Sequence, residues 1–214
     1  MSLTLSLIIA AALITQASTL DAQALAGSQY RPAYRRPDYR DHAEMARWLI
    51  AENDWGVVST TSQHLAGAAF GNLLSYSDGP RGNSTGRLLF YLTPLDATAT
   101  DVEKRPGATL TVGEVQLAGG CNMVDPEDPT CAKVSISGRM ELLSGEGLRV
   151  ASELLFSRHP DMRGWPKDHK FGVYELGLDH IRLLDFYGGA AEISRQEYFA
   201  AQLSRSTDVS QRSQ

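Results

Sequence analysis

The alternation of hydrophobic and polar positions predicts a chain built mainly from short β-strands. The clearest case is residues 133–143, where Val134, Ile136 and Met140 fall on one face of a strand. Further strands are predicted at 55–61, 66–75, 87–92, 108–115, 171–178 and 180–186. We expect Gly138 to mark a bulge where the long strand bends.

Short helices are predicted between these strands, at 41–53, 98–105, 144–158 and 194–201. Asp41 and Glu44 match a capping box at the start of the first helix, and Ser194 and Glu197 match one at the start of the last. Six or seven strands with inserted helices, without regular alternation of strand and helix, favour a closed antiparallel barrel with peripheral helices over a doubly wound sheet.

Length and composition fit one globular domain with short appendages. The chain has 214 residues, of which 43% are hydrophobic and 21% charged, so it can bury a sizeable core. Its net charge of −5 provides no general attraction for polyanions. We therefore expect no direct binding of nucleic acid.

The N-terminal residues have the character of a targeting segment. Residues 3–14 are apolar and uncharged, but they are too few to span a bilayer comfortably, and small residues follow them. This predicts a secretory signal peptide over 1–24, cleaved after Ala24, with Ala17 and Thr19 as other cut points. A membrane anchor or a buried N-terminal helix is the alternative.

Arg and Tyr alternate between prolines in residues 25–37. This composition predicts an extended leader that lies on the surface. The alternatives are a basic arm for anionic partners or a dibasic processing site at Arg35-Arg36.

Two further features agree with export. Cys121 and Cys131 are the only cysteines, and the polar loop between them suits a disulfide formed in an oxidising compartment. Asn83 begins the one N-glycosylation sequon, Asn83-Ser84-Thr85, in a glycine-rich loop. We expect a secreted, extracellular or lysosomal glycoprotein with no membrane anchor after the signal peptide is removed.

Several motifs resemble those of the CREG family, the cellular-repressor glycoproteins. They are DWG at 54–56, FYLTPL at 90–95, RPGATLT at 105–111, LFSRHPDMRGWPKDHKF at 155–171 and DFYGG at 185–189. The resemblance covers residues 38–203 and leaves 204–214 as a polar tail. It implies an FMN-binding split β-barrel, mainly β with peripheral helices, of the antiparallel Greek-key type.

The same resemblance implies a secreted or lysosomal homodimer that modulates cell growth and differentiation. It also implies sorting through a mannose-6-phosphate receptor that recognises the glycan. Trp165 and Tyr187 are the residues that we place at the dimer groove, because aromatic side chains are enriched at interfaces.

Split-barrel oxidases hold the dianionic phosphate of FMN with Arg, Lys and hydroxyl groups after the third strand. Here the turn over 94–100 contains no Arg or Lys, and Asp96 would repel the phosphate. Thr98 and Thr100, either of which can also cap the following helix, could donate hydrogen bonds to a phosphate, and Arg87 could supply one cation. We expect no bound cofactor and a non-enzymatic protein; an FMN-dependent oxidoreductase or a flavin carrier using the dimer groove is the alternative.

Other catalytic chemistry has weaker support. His159, Asp161, Asp168 and His169 lack the tight spacing of metal ligands, so we interpret them as surface or helix-capping residues and predict no metal site. The sequence contains no Gly-x-Ser-x-Gly nucleophile motif, and no catalytic residue is predicted.

Overall fold

In the computed structural model, which describes residues 32–206, eight antiparallel strands form one sheet that closes into a barrel. The strands are β1 Trp55–Thr61, β2 Ala69–Ser77, β3 Leu89–Leu92, β4 Gly107–Gly113, β5 Lys133–Leu142, β6 Gly172–Leu176, β7 His180–Leu184 and β8 Ala191–Ile193. The α-helices are α1 His42–Glu52, α2 Ala97–Lys104, α3 Gly145–Arg158 and α4 Arg195–Ala200. The predicted signal peptide, the leader up to residue 31 and the tail beyond residue 206 lie outside the described residues.

The barrel closes because β4 pairs with both β1 and β5. The order around it is β4-β1-β2-β3-β6-β5, and β7 and β8 extend the sheet from β5. Strands that are distant in sequence are neighbours here, as in Greek-key connections: β4 lies beside β1 and β6 beside β3. The predicted antiparallel barrel with peripheral helices is therefore confirmed.

Strand β5 is shared between the two parts of the sheet. Its first half pairs with β7, up to Ser137, and its last three residues pair with β6, from Met140 onward. Gly138 lies between the two halves, and a Cβ atom there would overlap the carbonyl oxygen of Gly177. The pairing with β4 runs through Gly138 in unbroken register, so the predicted bulge is absent from that edge. Gly138 is instead the position where β5 changes partner, at a close approach that only a glycine permits.

The alternating apolar positions fill the barrel. Val134, Ile136 and Met140 are all buried, as the sequence predicted. Helix α1 covers the barrel with Leu49 and Ile50, which are fully buried. Each such side chain contributes roughly 1.5–3 kcal/mol to folding, so this alternation is what stabilises the barrel. In the part of the chain between residues 32 and 206, no helix has the length and apolar character that a membrane span requires.

Several predicted strand boundaries were wrong by two residues or more, and those of β2 have a clear cause. Strand β2 begins at Ala69 rather than 66, because Ala66 and Gly67 adopt positive φ angles of 54° and 90° in the preceding turn. It also continues to Ser77, where a loop was expected. Strand β8, only three residues long, was missed because so short a segment shows no clear alternation.

The two predicted capping boxes had different outcomes. In α4, the Ser194 side chain accepts from the Glu197 N–H at 3.2 Å and Glu197 accepts from the Ser194 N–H at 2.8 Å, so this box is confirmed. In α1, the Asp41 side chain caps nothing, so that prediction was wrong. Glu44 instead accepts from the Ser204 N–H at 3.2 Å, because tertiary contact with the C-terminal segment competes for it.

The end of the predicted leader is part of the folded domain rather than a surface segment. Tyr34 is buried, forms an antiparallel bridge with Arg205, and donates its N–H to Glu52 at 2.7 Å. Arg36 makes a two-pronged ion pair with Glu114 at 2.7 and 2.9 Å. Residues 32–37 are extended, as predicted, but they are held by the core and by residues 204–206.

Candidate functional site

A groove lined by aromatic side chains lies beside the turn in which flavin-binding barrels hold phosphate. We call it the aromatic groove; its volume is about 220 Å³, and Tyr91, Trp165 and Phe171 line it. Tyr91, on β3, stacks on Phe171 with ring centres 4.8 Å apart, and Trp165 lies 5.0 Å from Phe171. Trp165 is held in place by the short 3₁₀ helix Pro160–Gly164, since its backbone N–H donates to the Met162 carbonyl at 3.2 Å.

A carboxylate occupies the N-terminus of α2 at the edge of this groove. Asp96 lines the groove and caps the helix, because its Oδ1 accepts from the Thr98 N–H at 2.7 Å. Asn72, from β2, donates to Asp96 Oδ2 at 3.0 Å and to Thr98 Oγ1 at 3.1 Å. The N–H of Thr98, near the positive end of the helix, is thus already bonded to an internal anion.

This arrangement corrects the prediction that Thr98 or Thr100 caps the helix. Asp96 is the capping residue, Thr98 is buried in the helix, and the Thr100 hydroxyl donates to the Ala97 carbonyl at 2.9 Å. Asp is as good a cap as Thr, and the turn ends earlier than the sequence pattern indicated. The signal for Asp96 was present, since an Asp precedes the helical residues, but its partner Asn72 comes from a strand that is adjacent only in the fold.

Arg87 is not available as a free cation. Its guanidinium donates to both carboxylate oxygens of Glu175 on β6, each at 2.7 Å, and this partner raises the pKa of Arg87. It also precedes β3, whereas Thr98 follows that strand. A strand of four residues spans about 13 Å, and the hydrogen bonds of Arg87 run to Thr85 and Glu175 rather than to the threonines of α2.

The comparisons with known proteins bear on this architecture. Residues 37–200 match the family model described as "CREG, beta-barrel". The chain belongs to the CREG family. Human Protein CREG2 is 42% identical over 169 residues, which make up 77% of this chain and 58% of CREG2, so the match spans a little over half of that relative. Human Protein CREG1 is 34% identical over 167 residues, 76% of each chain.

A solved structure shares the fold at much lower identity. The heme binding protein from Mycobacterium smegmatis matches with a TM-score of 0.62 and 18% identity, over 78% of this chain and 62% of that chain. Similarity at this level establishes the split-barrel fold and nothing about a ligand of this CREG-family chain.

The residues that line the aromatic groove do not fit an FMN phosphate. An FMN phosphate needs cations and free N–H donors at the start of α2, and here that position holds the Asp96 carboxylate. None of the described residues lining the groove is Arg or Lys. At about 220 Å³ the groove is also smaller than the roughly 300–1,000 Å³ typical of ligand pockets.

The two aromatic residues assigned to a dimer groove lie in different places. Trp165 lines the aromatic groove and is 40% exposed. Tyr187 is 64% exposed and is not among the residues lining that groove; its hydroxyl is 3.5 Å from Asp128 Oδ2. Its neighbour Phe186 stacks on Tyr39 at 4.1 Å. Trp165 and Tyr187 therefore do not line the same groove of the subunit.

Features connected with export are on loops. Cys121 and Cys131 form the predicted disulfide, which is confirmed, and they close the loop between β4 and β5. Asn83 is exposed, on the loop between β2 and β3. The rest of the sequon is anchored, because the backbone N–H of Ser84 donates to the hydroxyl of the buried Tyr34 at 3.0 Å.

The CREG-like motif at 158–160 proves structural. Arg158, whose side chain is buried, donates to Asp78 at 2.7 Å, to Asp54 at 3.0 Å and to the Gly79 carbonyl at 3.0 Å. His159 is the C-cap of α3 and bonds the Tyr76 carbonyl through Nε2 at 2.7 Å, in line with the capping role expected for it. Within residues 32–206, no three His, Cys, Asp or Glu side chains are grouped as metal ligands would be.

Burial governs the charge at the centre of this network. Asp78 is fully buried, and burial raises the pKa of its carboxyl more than Arg158 lowers it. A hydrogen bond from the Ser84 hydroxyl opposes that rise. The pair joins the end of α3 to the end of β2, so it fixes the loop that carries the sequon.

Proposed function

We propose that this chain is a secreted or lysosomal glycoprotein that works as a homodimer through protein contacts, modulates cell growth, differentiation and endolysosomal function, and does not use flavin chemistry. The observation that carries the non-flavin part is the Asp96 carboxylate at the N-terminus of α2. The family supports the rest, because its members are the cellular-repressor glycoproteins that the sequence motifs resemble.

The charge of Asp96 is large enough to decide against phosphate. Two like charges about 4 Å apart repel by roughly 4 kcal/mol at an effective dielectric constant near 20. That energy corresponds to a loss of about 1,000-fold in affinity. Flavin-binding barrels gain affinity at this position through cations, so this chain both lacks the attraction and adds a repulsion.

The proposed dimer interface centres on the aromatic groove. Leu73 and Trp165, which line it, are 65% and 40% exposed, and Leu95, next to Asp96, is 75% exposed. A second apolar groove shares Tyr91 and Phe171 with the first. Clustered exposed apolar side chains of this kind mark association surfaces. A second copy is the occupant that the family resemblance implies.

The export part is supported by the loops. The disulfide between Cys121 and Cys131 suits an oxidising compartment, and Asn83 is exposed as an acceptor for a glycan. A glycan at Asn83 would be the group that a mannose-6-phosphate receptor binds.

The flavin part is tested by comparing FMN with riboflavin, which lacks the phosphate. We would titrate each into the wild type, into Asp96→Ser, which keeps a capping side chain, and into Asp96→Ser/Ala97→Arg, which adds a cation. We expect the wild type to bind riboflavin more tightly than FMN, Asp96→Ser to lose most of that difference, and the double variant to prefer FMN by about 10-fold or more. The proposal would be overturned if wild-type protein were purified with one flavin per chain, or preferred FMN to riboflavin 10-fold.

A further inference from the structure

A second, larger cavity is separate from the aromatic groove. It has a volume of about 740 Å³ and lies where β1 ends and β4 and β7 begin. We call it the basic groove, because Lys104, Arg105, Arg139 and His180 line it. It shares no lining residue with the aromatic groove.

The positive charge of this groove is assembled from separate elements. Lys104 and Arg105 come from the end of α2, Arg139 from β5 and His180 from the start of β7, and all four are exposed. Asp179 is the one carboxylate among the described lining residues, so three cations face one anion before His180 is counted. Arg139 also donates to Glu141 at 3.3 Å, an exposed pair that binds Arg139 only weakly.

The floor of the groove carries hydroxyl groups that can bind a ligand. Ser59, Thr109 and Ser137 line it, and Thr109 Oγ1 lies 2.8 Å from Ser137 Oγ. That contact uses one hydroxyl proton of the two, so the other remains a donor. The backbone of Gly107 is accessible to a ligand, because a Cβ atom there would meet nothing within 4 Å. Cations and hydroxyl donors together are the groups that bind oxyanions.

We propose that the basic groove binds the sulfate or phosphate ester group of a small molecule. Its volume lies in the range of about 300–1,000 Å³ typical of small-molecule sites. A nucleic acid is a poorer fit, because none of the described lining residues is Phe, Tyr or Trp to stack on a base, and the chain's net charge of −5 repels a long polyanion. This proposal does not depend on the proposed function.

The test is calorimetric titration of the full-length, exported protein with three probes. These are a sulfated disaccharide, the same disaccharide without sulfate, and a hexose 6-phosphate. The test variant is Lys104→Gln/Arg105→Gln; the matched control is Arg149→Gln/Arg195→Gln, which removes the same charge from exposed positions outside the groove. Melting temperatures of both variants should equal that of the wild type, since all four side chains are exposed.

We expect an ester-bearing probe to bind and its dissociation constant to rise about 10- to 100-fold in the test variant, with less than about a 2-fold change in the control. Preference between the sulfated and the phosphorylated probe identifies the source of the ester. Equal binding of the unsulfated disaccharide, equal losses in the two variants, or no binding of either ester would each overturn the proposal.

Discussion

The buried ion pair between Arg158 and Asp78 predicts a large loss of stability when the arginine is replaced. Replacing Arg158 with Met keeps an apolar stem of similar length but leaves the Asp78 carboxylate buried without its cation. Breaking a buried pair in this way costs about 3–5 kcal/mol. Because whole domains are stable by only roughly 5–15 kcal/mol, Arg158→Met should remove a large fraction of the total.

The assay is urea denaturation at pH 7 of the wild type, Arg158→Met, and Arg158→Met/Asp78→Asn. The double variant removes both charges, so it should recover at least about 2 kcal/mol of the loss. Arg149→Met is the control, because its pair with Glu153 is exposed and should be worth at most about 0.5 kcal/mol.

The raised pKa of Asp78 also predicts how the loss of stability in Arg158→Met changes with pH. The pKa of Asp78 is already raised in the folded protein by burial, and loss of Arg158 raises it further. A carboxyl whose folded pKa exceeds its unfolded pKa opposes folding in full above the folded pKa, and this penalty is lost as the pH falls from the folded pKa to the unfolded pKa. The destabilisation by Arg158→Met should therefore shrink at acidic pH. A loss below about 1 kcal/mol at pH 7, or one that the Asp78→Asn change does not relieve, would refute the reasoning.

Three further outcomes are expected. Leu73→Asp should shift the protein toward monomer in sedimentation velocity, whereas Met123→Asp, exposed and outside the aromatic groove, should not; a wild type that is monomeric at micromolar concentration would contradict the dimer. Asn83→Gln should abolish the gain in gel mobility that endoglycosidase treatment gives the exported wild type; a gain that persists would contradict glycosylation at this site. Ser194→Ala should lower the free energy of unfolding in urea by about 1 kcal/mol through loss of the α4 cap, and Ser157→Ala by much less; equal effects would contradict the capping role.

The two ends of α2 carry opposite charges and line the two different grooves. In the segment 94–105 the only Lys and Arg stand at the C-terminal end of α2, and the carboxylate of Asp96 stands at its N-terminal end. The end that serves phosphate in flavin-binding barrels carries a carboxylate here, while the opposite end contributes two cations to the basic groove. Helix α2 therefore presents its carboxylate at the aromatic groove and its cations at the basic groove.

Local sequence determined the elements whose cause is itself local. The alternation at Val134, Ile136 and Met140 defined the core face of β5, because strand period is a property of neighbouring residues. The Ser194 and Glu197 box was also readable, since its two partners are three residues apart. The disulfide was predictable because the chain offers only one possible pair of cysteines.

Tertiary structure decided the chemistry of the sites, because each depends on residues that only the fold brings together. Asp96 is held by Asn72, 24 residues away, and Asp78 by Arg158, 80 residues away. Glu44 accepts a hydrogen bond from Ser204, 160 residues away, instead of forming the predicted cap. Charged and polar side chains take the partner that burial places within hydrogen-bonding distance, and burial is a property of the closed barrel. The sequence by itself therefore determined the family, most of the strands and the disulfide, whereas the contact between Asp96 and Asn72 and the basic groove follow from the closure of the sheet.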